Sequence, residues 1–470
     1  MIGAITAHLD RLTSRTLPLR ARVPPFLFVA LLCLFLAGYF VRENPEPNGD
    51  GRLAVTYAIV DRGTVAIDAY VAAMPRLLVD ASEFDGHYYT ARPPLPSFIL
   101  APLYLAMRLV TGPASITDVH WRWLMTLALS GTSLVVVVLV VWRLQRDLGL
   151  RYAGSPVAAL VTATATPLVV YASLGLSHVF AAALLLGVLY CALRAPRYGV
   201  LSGVLFGALV ATELVSALGA AIPFGWAVWG RVRASGPRGV VAPILGAAAG
   251  SLAFPIYLLL AFGSPFADMN AYLVTREFRD GYAAGPLGLP SLEAVLALLV
   301  SPNRGLLVFA PIVALGIWRL VWLWRHEATY TGPQVAASRV AVGLSGAAAL
   351  TIFLAISGYM WWHGGSSYGP RYLVPVLPLL CWSLATLPVR SIAAIGLLAS
   401  LPQFLALAAD LPLLDPKHLF PYMDYAMMPN TPTVLGPAKG WGAVRAVVPI
   451  VLVGAVYLSA ARRPKPIAAS

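Results

Sequence analysis

The stretch DGHYYTARPPLPSFILAPLYLAMRLV, residues 85–110, decides the topology of the whole chain. Its second half, Pro96–Val110, is apolar but shorter than the roughly 20 residues that carry a helix across a bilayer. If it crossed, the arginines of WRLQRDLGLR (142–151) would face outward and every later loop would change sides. Read instead as a juxtamembrane helix that dips in and stays outside, it leaves Arg143, Arg146, Arg151, Arg194, Arg231, Arg325 and Arg390 in cytoplasmic loops, as the positive-inside tendency requires. Pro93 and Pro94 set where this helix begins, because a residue before proline is pushed out of helical geometry.

The chain around this stretch has 470 residues, of which 59% are hydrophobic and 11% charged. That is more apolar surface than a soluble core can hide, so the expected fold class is an all-α polytopic membrane protein. The formal net charge of +13 is scattered over short loops rather than gathered in a stripe, which argues for membrane sidedness and against nucleic acid. Cys33, Cys191 and Cys381 all fall in apolar runs and read as packing residues. The N-terminal arginines precede an apolar run too long for a signal peptide, so it reads as an uncleaved first helix.

Hydropathy and charge together predict about 12 membrane helices with both ends cytoplasmic. Segment 1–23 is the cytoplasmic N-terminus and 24–41 the first span. Residues 42–120 form a long first outer loop, and 121–263 hold the second to seventh spans, near 121–142, 154–172, 178–193, 198–212, 214–230 and 239–263. An outer loop at 264–304 precedes four spans within 305–409, near 305–323, 340–360, 372–389 and 391–409. A third outer loop at 410–444, a last span at 445–460 and a tail at 461–470 complete the chain. The longer loops all fall outside, so function is expected to face outward.

The first outer loop is where the ionisable groups gather. GRLAVTYAIVDRG (51–63) places Leu53, Tyr57, Ile59 and Val60 at near-helical spacing and breaks at Gly63, the pattern of an amphipathic helix lying on the membrane surface. It would hold Arg52 near the lipid headgroups and put Asp68 just beyond its end. HYYTARPP (87–94) places His87, Tyr88, Tyr89 and Arg92 at the mouth of the juxtamembrane helix, where a lipid phosphate would sit. A guanidinium suits that anion because its planar fork donates two hydrogen bonds and keeps its proton. Tyr88 and Tyr89 are equally explained as interfacial anchors. WWHGGSSYGPRYLVPVLP (361–378) adds His363 and Arg371 at another outer mouth, where Arg371 could clamp the phosphate or sugar or equally cap the interface, with packing or hydrogen bonding the plainer role for His87 and His363. FGALVATELVSALG (206–219) sets one acid, Glu213, between two apolar runs; ionisable residues within a membrane usually serve function, although a turn between spans would equally place it near water.

The order of these elements, DGR at 50–52, an amphipathic helix ending at Gly63, then YTAR at 89–92 followed by two prolines and an apolar helix, resembles the first outer loop of the GT-C membrane glycosyltransferases. The protein O-mannosyltransferase and aminoarabinose lipid A transferase branch is the nearest in pattern. There an Asp-Glu pair shortly precedes an Arg, and Tyr-Phe-Glu-Lys-Pro precedes a juxtamembrane helix. The resemblance implies a GT-C-like bundle and transfer of a sugar from a polyprenyl-phosphate carrier to an acceptor hydroxyl on a cell-envelope glycan, lipid or protein, on the outer face of the cytoplasmic membrane. It implies that Arg52 and Arg92 grip the carrier phosphate, with Arg92 in place of the usual Lys. The acidic pair falls on Gly49 and Asp50, so one acid is absent here. Asp50 is the first choice for the general base, with Asp68 and Asp80 as rivals. Arg52, Arg92 and Arg371 would supply the positive charge, and no residues have the spacing of a metal site, so no cofactor is expected. Two other classes stay open: a transporter or flippase of lipid-linked sugars, and a non-catalytic GT-C-like lipid-binding protein.

Overall fold

The computed structural model describes residues 25–41, 47–195, 197–326, 333–408, 433 and 442–461. The expected N-terminal segment 1–23, most of the outer loop 410–444 and nearly all of the tail 461–470 lie outside the described residues.

Among the described residues, four helices are long and apolar enough to cross a bilayer: Val119–Asp147, Pro237–Phe262, Ala337–Ser357 and Val389–Ala408. Shorter apolar helices stand among them, including Pro25–Gly38, His178–Ala192, Gly199–Val210 and Arg371–Thr386. Their outward faces leave Leu245, Leu260, Leu398 and Val451 more than half exposed, which only a lipid surround makes tolerable. The chain is a multi-pass membrane protein.

Proline divides two of the apolar stretches. Val157–Thr164 stops before Pro167 and Leu168–Ala172 resumes after it, because proline has no N–H for the ladder. Both pieces are buried on every side and form the centre of the bundle. The hydroxyls of Thr164 and Thr166 donate back to the carbonyls of Leu160 and Thr162, at 3.1 and 2.7 Å, so these polar groups are satisfied inside the core. The stretch after Gly305 divides in the same way at Pro311, into Leu306–Phe309 and Ile312–Arg325.

A second, smaller core sits on one end of the bundle. Its first helix, Pro47–Arg62, begins earlier than the hydrophobic spacing indicates, so Asp50 lies in its first turn, where the helix dipole favours a carboxylate. Leu53, Ala54, Tyr57 and Ala58 bury against Leu100 and Tyr104 of the Leu95–Thr111 helix and against Met125 and Tyr257 of two bundle helices. Each large apolar side chain buried here contributes ~1.5–3 kcal/mol. The Tyr57 and Tyr104 rings stand 4.4 Å apart. Asp61 ties the two helices together, accepting from the Tyr104 hydroxyl at 2.9 Å and pairing with Arg108 at 2.5 Å.

Between these helices the sequence reads as a polar loop, and the structure forms a β-hairpin instead. Asp85 and Gly86 take φ of 52° and 76°, the left-handed pair of a type I′ two-residue turn, for which Asp-Gly is a preferred sequence. The turn fixes the register of β1 (Ala81–Phe84) on β2 (His87–Thr90), with Phe84 opposite His87 and Ala81 opposite Thr90. The edge of β1 away from β2 receives segment 264–304: Val274 N–H donates to the Ala81 carbonyl at 2.9 Å. That segment in turn joins the Ala337–Ser357 end, where Gly288 N–H donates to Gly358 at 2.8 Å and Met360 N–H to Pro286 at 3.0 Å. The hairpin, segment 264–304 and the stretch after Ser357 are thereby gathered into one layer. At the opposite end of the bundle Asp147 pairs with Arg143 and Arg194 and accepts from the Tyr190 hydroxyl.

Candidate active site

The hairpin register decides which charges meet. The ladder runs one step past the named strands, Ala91 N–H donating to the Asp80 carbonyl at 2.8 Å, so Asp80 and Arg92 emerge side by side and pair. Burial works against the Arg92 cation, and the adjoining Asp80 carboxylate more than offsets it. The pair forms one wall of a cavity of about 500 Å³. Arg76 also lines it, as do Asn270, Phe278 and Tyr282 of segment 264–304 and Tyr359, Trp361, His363, Arg371 and Tyr372.

Arg371 donates to the Tyr372 hydroxyl at 3.1 Å and its guanidinium lies 4.9 Å from the same ring. Tyr282 and Tyr359 share a hydroxyl–hydroxyl hydrogen bond at 2.9 Å. Burial, with the neighbouring Tyr372 and Tyr282, pushes the Tyr359 phenol up, so it stays protonated and able to donate. Burial, with the nearby Arg304 and Arg371 cations, holds His363 below its ordinary value and favours the neutral ring. Arg304 itself is buried beneath the loop, donating to the carbonyls of His363 (2.7 Å), Gly365 (2.6 Å), Ser367 (3.1 Å) and Asn303 (2.7 Å). It shapes the cavity from below without lining it. Among the described residues, three guanidinium groups and one carboxylate line the space, an arrangement that binds an anion and offers two proton acceptors, the Asp80 carboxylate and the neutral His363 ring.

Asp50 and Arg52 occupy a different place. Both are buried at the start of Pro47–Arg62, beneath the hairpin, and neither lines the cavity. Asp50 Oδ2 lies 3.7 Å from Arg122, at the outer end of Val119–Asp147. Arg52 donates to the Asn48 side chain and, at 3.2 Å, to the Ser177 hydroxyl. Gly49 explains the absent acid: a Cβ built on it would stand 2.7 Å from the carbonyl oxygen of Gly175, so the close approach of the two backbones leaves no room for a side chain.

No protein-family model matches the sequence, and no curated protein does either. Among solved structures, ArnT from Cupriavidus metallidurans bound to undecaprenyl phosphate matches over 93% of this chain and 72% of its own, with a TM-score of 0.53 and 17% identity. The chain has the ArnT fold. ArnT is itself a GT-C glycosyltransferase, one of the superfamily whose first outer loop the sequence resembles. Arabinosyltransferase EmbB from Mycobacterium smegmatis matches more loosely, at TM-score 0.45 and 16% identity over 97% of this chain and 43% of its own. The apo oligosaccharyltransferase of Archaeoglobus fulgidus does so at 0.43 and 11%, over 94% and 56%.

Within this ArnT-like frame, the residues singled out in the sequence divide into three groups. Asp80, Arg92, His363 and Arg371 meet in the cavity. Asp50 and Arg52 lie together in the buried cluster. Asp68 and His87 form an exposed pair at 3.4 Å, and Asp68 also accepts the Tyr88 N–H at 3.0 Å, fastening the hairpin to the short Asp68–Val71 helix. The Tyr89 ring packs on Phe262, at 5.4 Å between centroids. Arg76, Tyr359 and Tyr372 line the cavity without having stood out in the sequence, since isolated tyrosines and arginines in loops have no spacing to mark them. Ser177, His178 and Arg122 were hidden for another reason: they are the first residues of apolar spans, where polar side chains read as helix boundaries.

Proposed function

We propose that this protein is an integral-membrane glycosyltransferase that moves a sugar from a polyprenyl-phosphate carrier to an acceptor hydroxyl on the outer face of the cytoplasmic membrane. The observation that carries the reading is the cavity that Arg92, Arg371 and Asp80 line together, with Asp80 paired to Arg92. Two further features support it. An apolar groove of about 560 Å³, lined by Leu306, Leu320, Trp324, Ala349, Phe353 and Leu380, runs between Ile312–Arg325 and Ala337–Ser357. Its Leu373 follows directly on Arg371 and Tyr372 of the cavity, so one short segment serves both a headgroup and an isoprenoid tail. The ArnT neighbour, in turn, was solved with undecaprenyl phosphate bound.

In this mechanism the acceptor O–H loses its proton to the Asp80 carboxylate as the oxygen attacks the anomeric carbon. The bond from that carbon to the phosphate oxygen breaks and its electron pair leaves with the phosphate. One displacement inverts the anomeric centre. The leaving phosphate gains a negative charge in the step, and Arg92 and Arg371 stabilise it as it forms, in a site where each donor is already oriented. Arg92 exchanges Asp80 for the phosphate when the carrier binds, which leaves Asp80 free to take the proton. Asp50 is the rival base on the order of the sequence motif, although its carboxylate is committed beside Arg122.

The test is sugar transfer from polyprenyl-phosphate donors by the purified chain, comparing Asp80→Asn, Asp50→Asn and Asp68→Asn. Loss of turnover with retained carrier binding is expected for Asp80→Asn alone. Loss confined to Asp50→Asn would move the base to Asp50. Carrier binding with no transfer to any acceptor would make the protein a lipid-binding member of the fold, and failure to bind polyprenyl phosphate would overturn the reading.

A further inference from the structure

Glu213 lines no part of the cavity and takes no part in the transfer step. It is nonetheless a half-buried acid at the junction of Gly199–Val210 and Leu214–Ser235, where partial loss of water makes an unpaired carboxylate unfavourable. Its partners converge from three elements. Ser216 donates to Oε2 at 2.8 Å, His178 Nδ1 lies 2.5 Å from Oε1, and Ser177 donates to Oε1 at 3.5 Å while accepting from Arg52. Burial works against the Glu213 anion, and His178, Ser216 and Arg52 outweigh it, holding the group below the usual carboxylate range.

His178 leads from this acid to the cavity. Its ring stands edge-on to Tyr372 at 5.9 Å and 87°, and edge-on to Tyr171 at 5.5 Å and 82°. With Nδ1 beside the Glu213 carboxylate, the ring stands perpendicular to that of Tyr372, whose hydroxyl accepts from Arg371. A purely structural filler at this place would be apolar, since replacing buried ion pairs with well-packed hydrophobic residues is often neutral or stabilising.

We propose that Glu213 and His178 are a positioning pair that orients Tyr372, and through it Arg371, toward the phosphate of the lipid carrier. This rests on the reading that Arg371 binds that phosphate. The pair sets affinity for the anion and leaves the chemical step alone.

The experiment measures binding of undecaprenyl phosphate to the full-length protein in nanodiscs, with size-exclusion profiles confirming that each variant is folded. His178→Phe keeps a ring and loses the nitrogen, His178→Gln keeps a hydrogen-bonding group and loses the ring, and Glu213→Gln removes the charge. Each is expected to weaken binding about three- to tenfold, the worth of one oriented hydrogen bond. In an Arg371→Ala background the same substitutions are expected to add nothing, whereas in an Arg92→Ala background the full loss should persist. Equal losses with and without Arg371, or unchanged binding in all three variants, would overturn the inference while leaving the functional reading intact. Wild-type protein that fails to bind undecaprenyl phosphate would overturn both.

Discussion

Arg304 offers the sharpest test of how the cavity is built, because it touches the loop and not the space. Its guanidinium is 1% exposed and holds the carbonyls of His363, Gly365 and Ser367 at 2.6 to 3.1 Å. Hydrogen bonds to a charged group contribute about 1.5–3 kcal/mol each, and removing the donor also removes the cost of burying a cation. Some of the freed carbonyls can turn to water, so Arg304→Ala is expected to cost about 3–5 kcal/mol rather than the full sum. That much loosening of residues 363–367 moves His363, Gly364, Gly365 and Ser366 out of the cavity wall. Thermal unfolding in detergent should show a lowered midpoint, and undecaprenyl phosphate binding should weaken tenfold or more, since about 1.4 kcal/mol of lost positioning suffices for that factor. Arg304→Lys should fall between, because a single ammonium cannot span three carbonyls as a planar fork does. A variant with wild-type midpoint and wild-type binding would refute the clamp. Weakened binding at an unchanged midpoint would refute it too, since Arg304 would then be acting on the ligand directly.

Arg92→Lys retains the charge and gives up the fork, so carrier affinity should drop about tenfold in a binding titration, a loss of one charge-assisted hydrogen bond. Gly49→Asp restores the acidic pair of the resembled motif but forces a Cβ to within 2.7 Å of the Gly175 carbonyl oxygen. It should lower the unfolding midpoint by an overpacking cost of about 1–3 kcal/mol and bring no gain in transfer. Gly86→Val places a β-branched residue at a φ of 76°. The strain of about 1–2 kcal/mol should loosen the hairpin, seen as faster proteolysis at the turn and weaker carrier binding as Asp80 and Arg92 separate. His363 is held below its ordinary 6.5 in the folded protein, so the unfolded chain takes up the proton first. Stability should therefore be complete above that value and decline as pH falls below it, and His363→Gln should flatten the decline in a pH series of unfolding midpoints.

The membrane helices were legible because hydropathy acts on every residue of a span at once. The hairpin was missed although its signal was present: Asp85-Gly86 lies between short runs of strand-forming residues, and the two prolines that follow it drew the reading toward the juxtamembrane helix instead. The start of Pro47–Arg62 was misplaced by a few residues because hydrophobic spacing begins only at Leu53, while the first turn is held by polar contacts from Asn48, Asp50 and Arg52. Breaks at Pro167 and Pro311 followed from a rule readable in the sequence, yet their burial did not, since it depends on which helices surround them.

The site shows why residue type and order locate charges only in part. Arg92 and Arg371 were legible because each stands beside an apolar helix at an outer mouth, where an arginine has few structural uses. Asp80 was one acid among several, and what distinguishes it is the hairpin register that carries it to Arg92. Asp50 looked like the better base because it sits in the motif, two residues from Arg52. On a helix, that spacing points the two side chains to different faces, so neighbours in sequence part toward Arg122 and Ser177. A base must reach the space where the acceptor stands, and proximity along the chain does not provide that reach. If Asp80 is the base, the carboxylate that the resembled motif supplies from the first helix comes in this protein from the strand beside its own phosphate-binding arginine. Anion capture and proton removal would then depend on one two-residue turn.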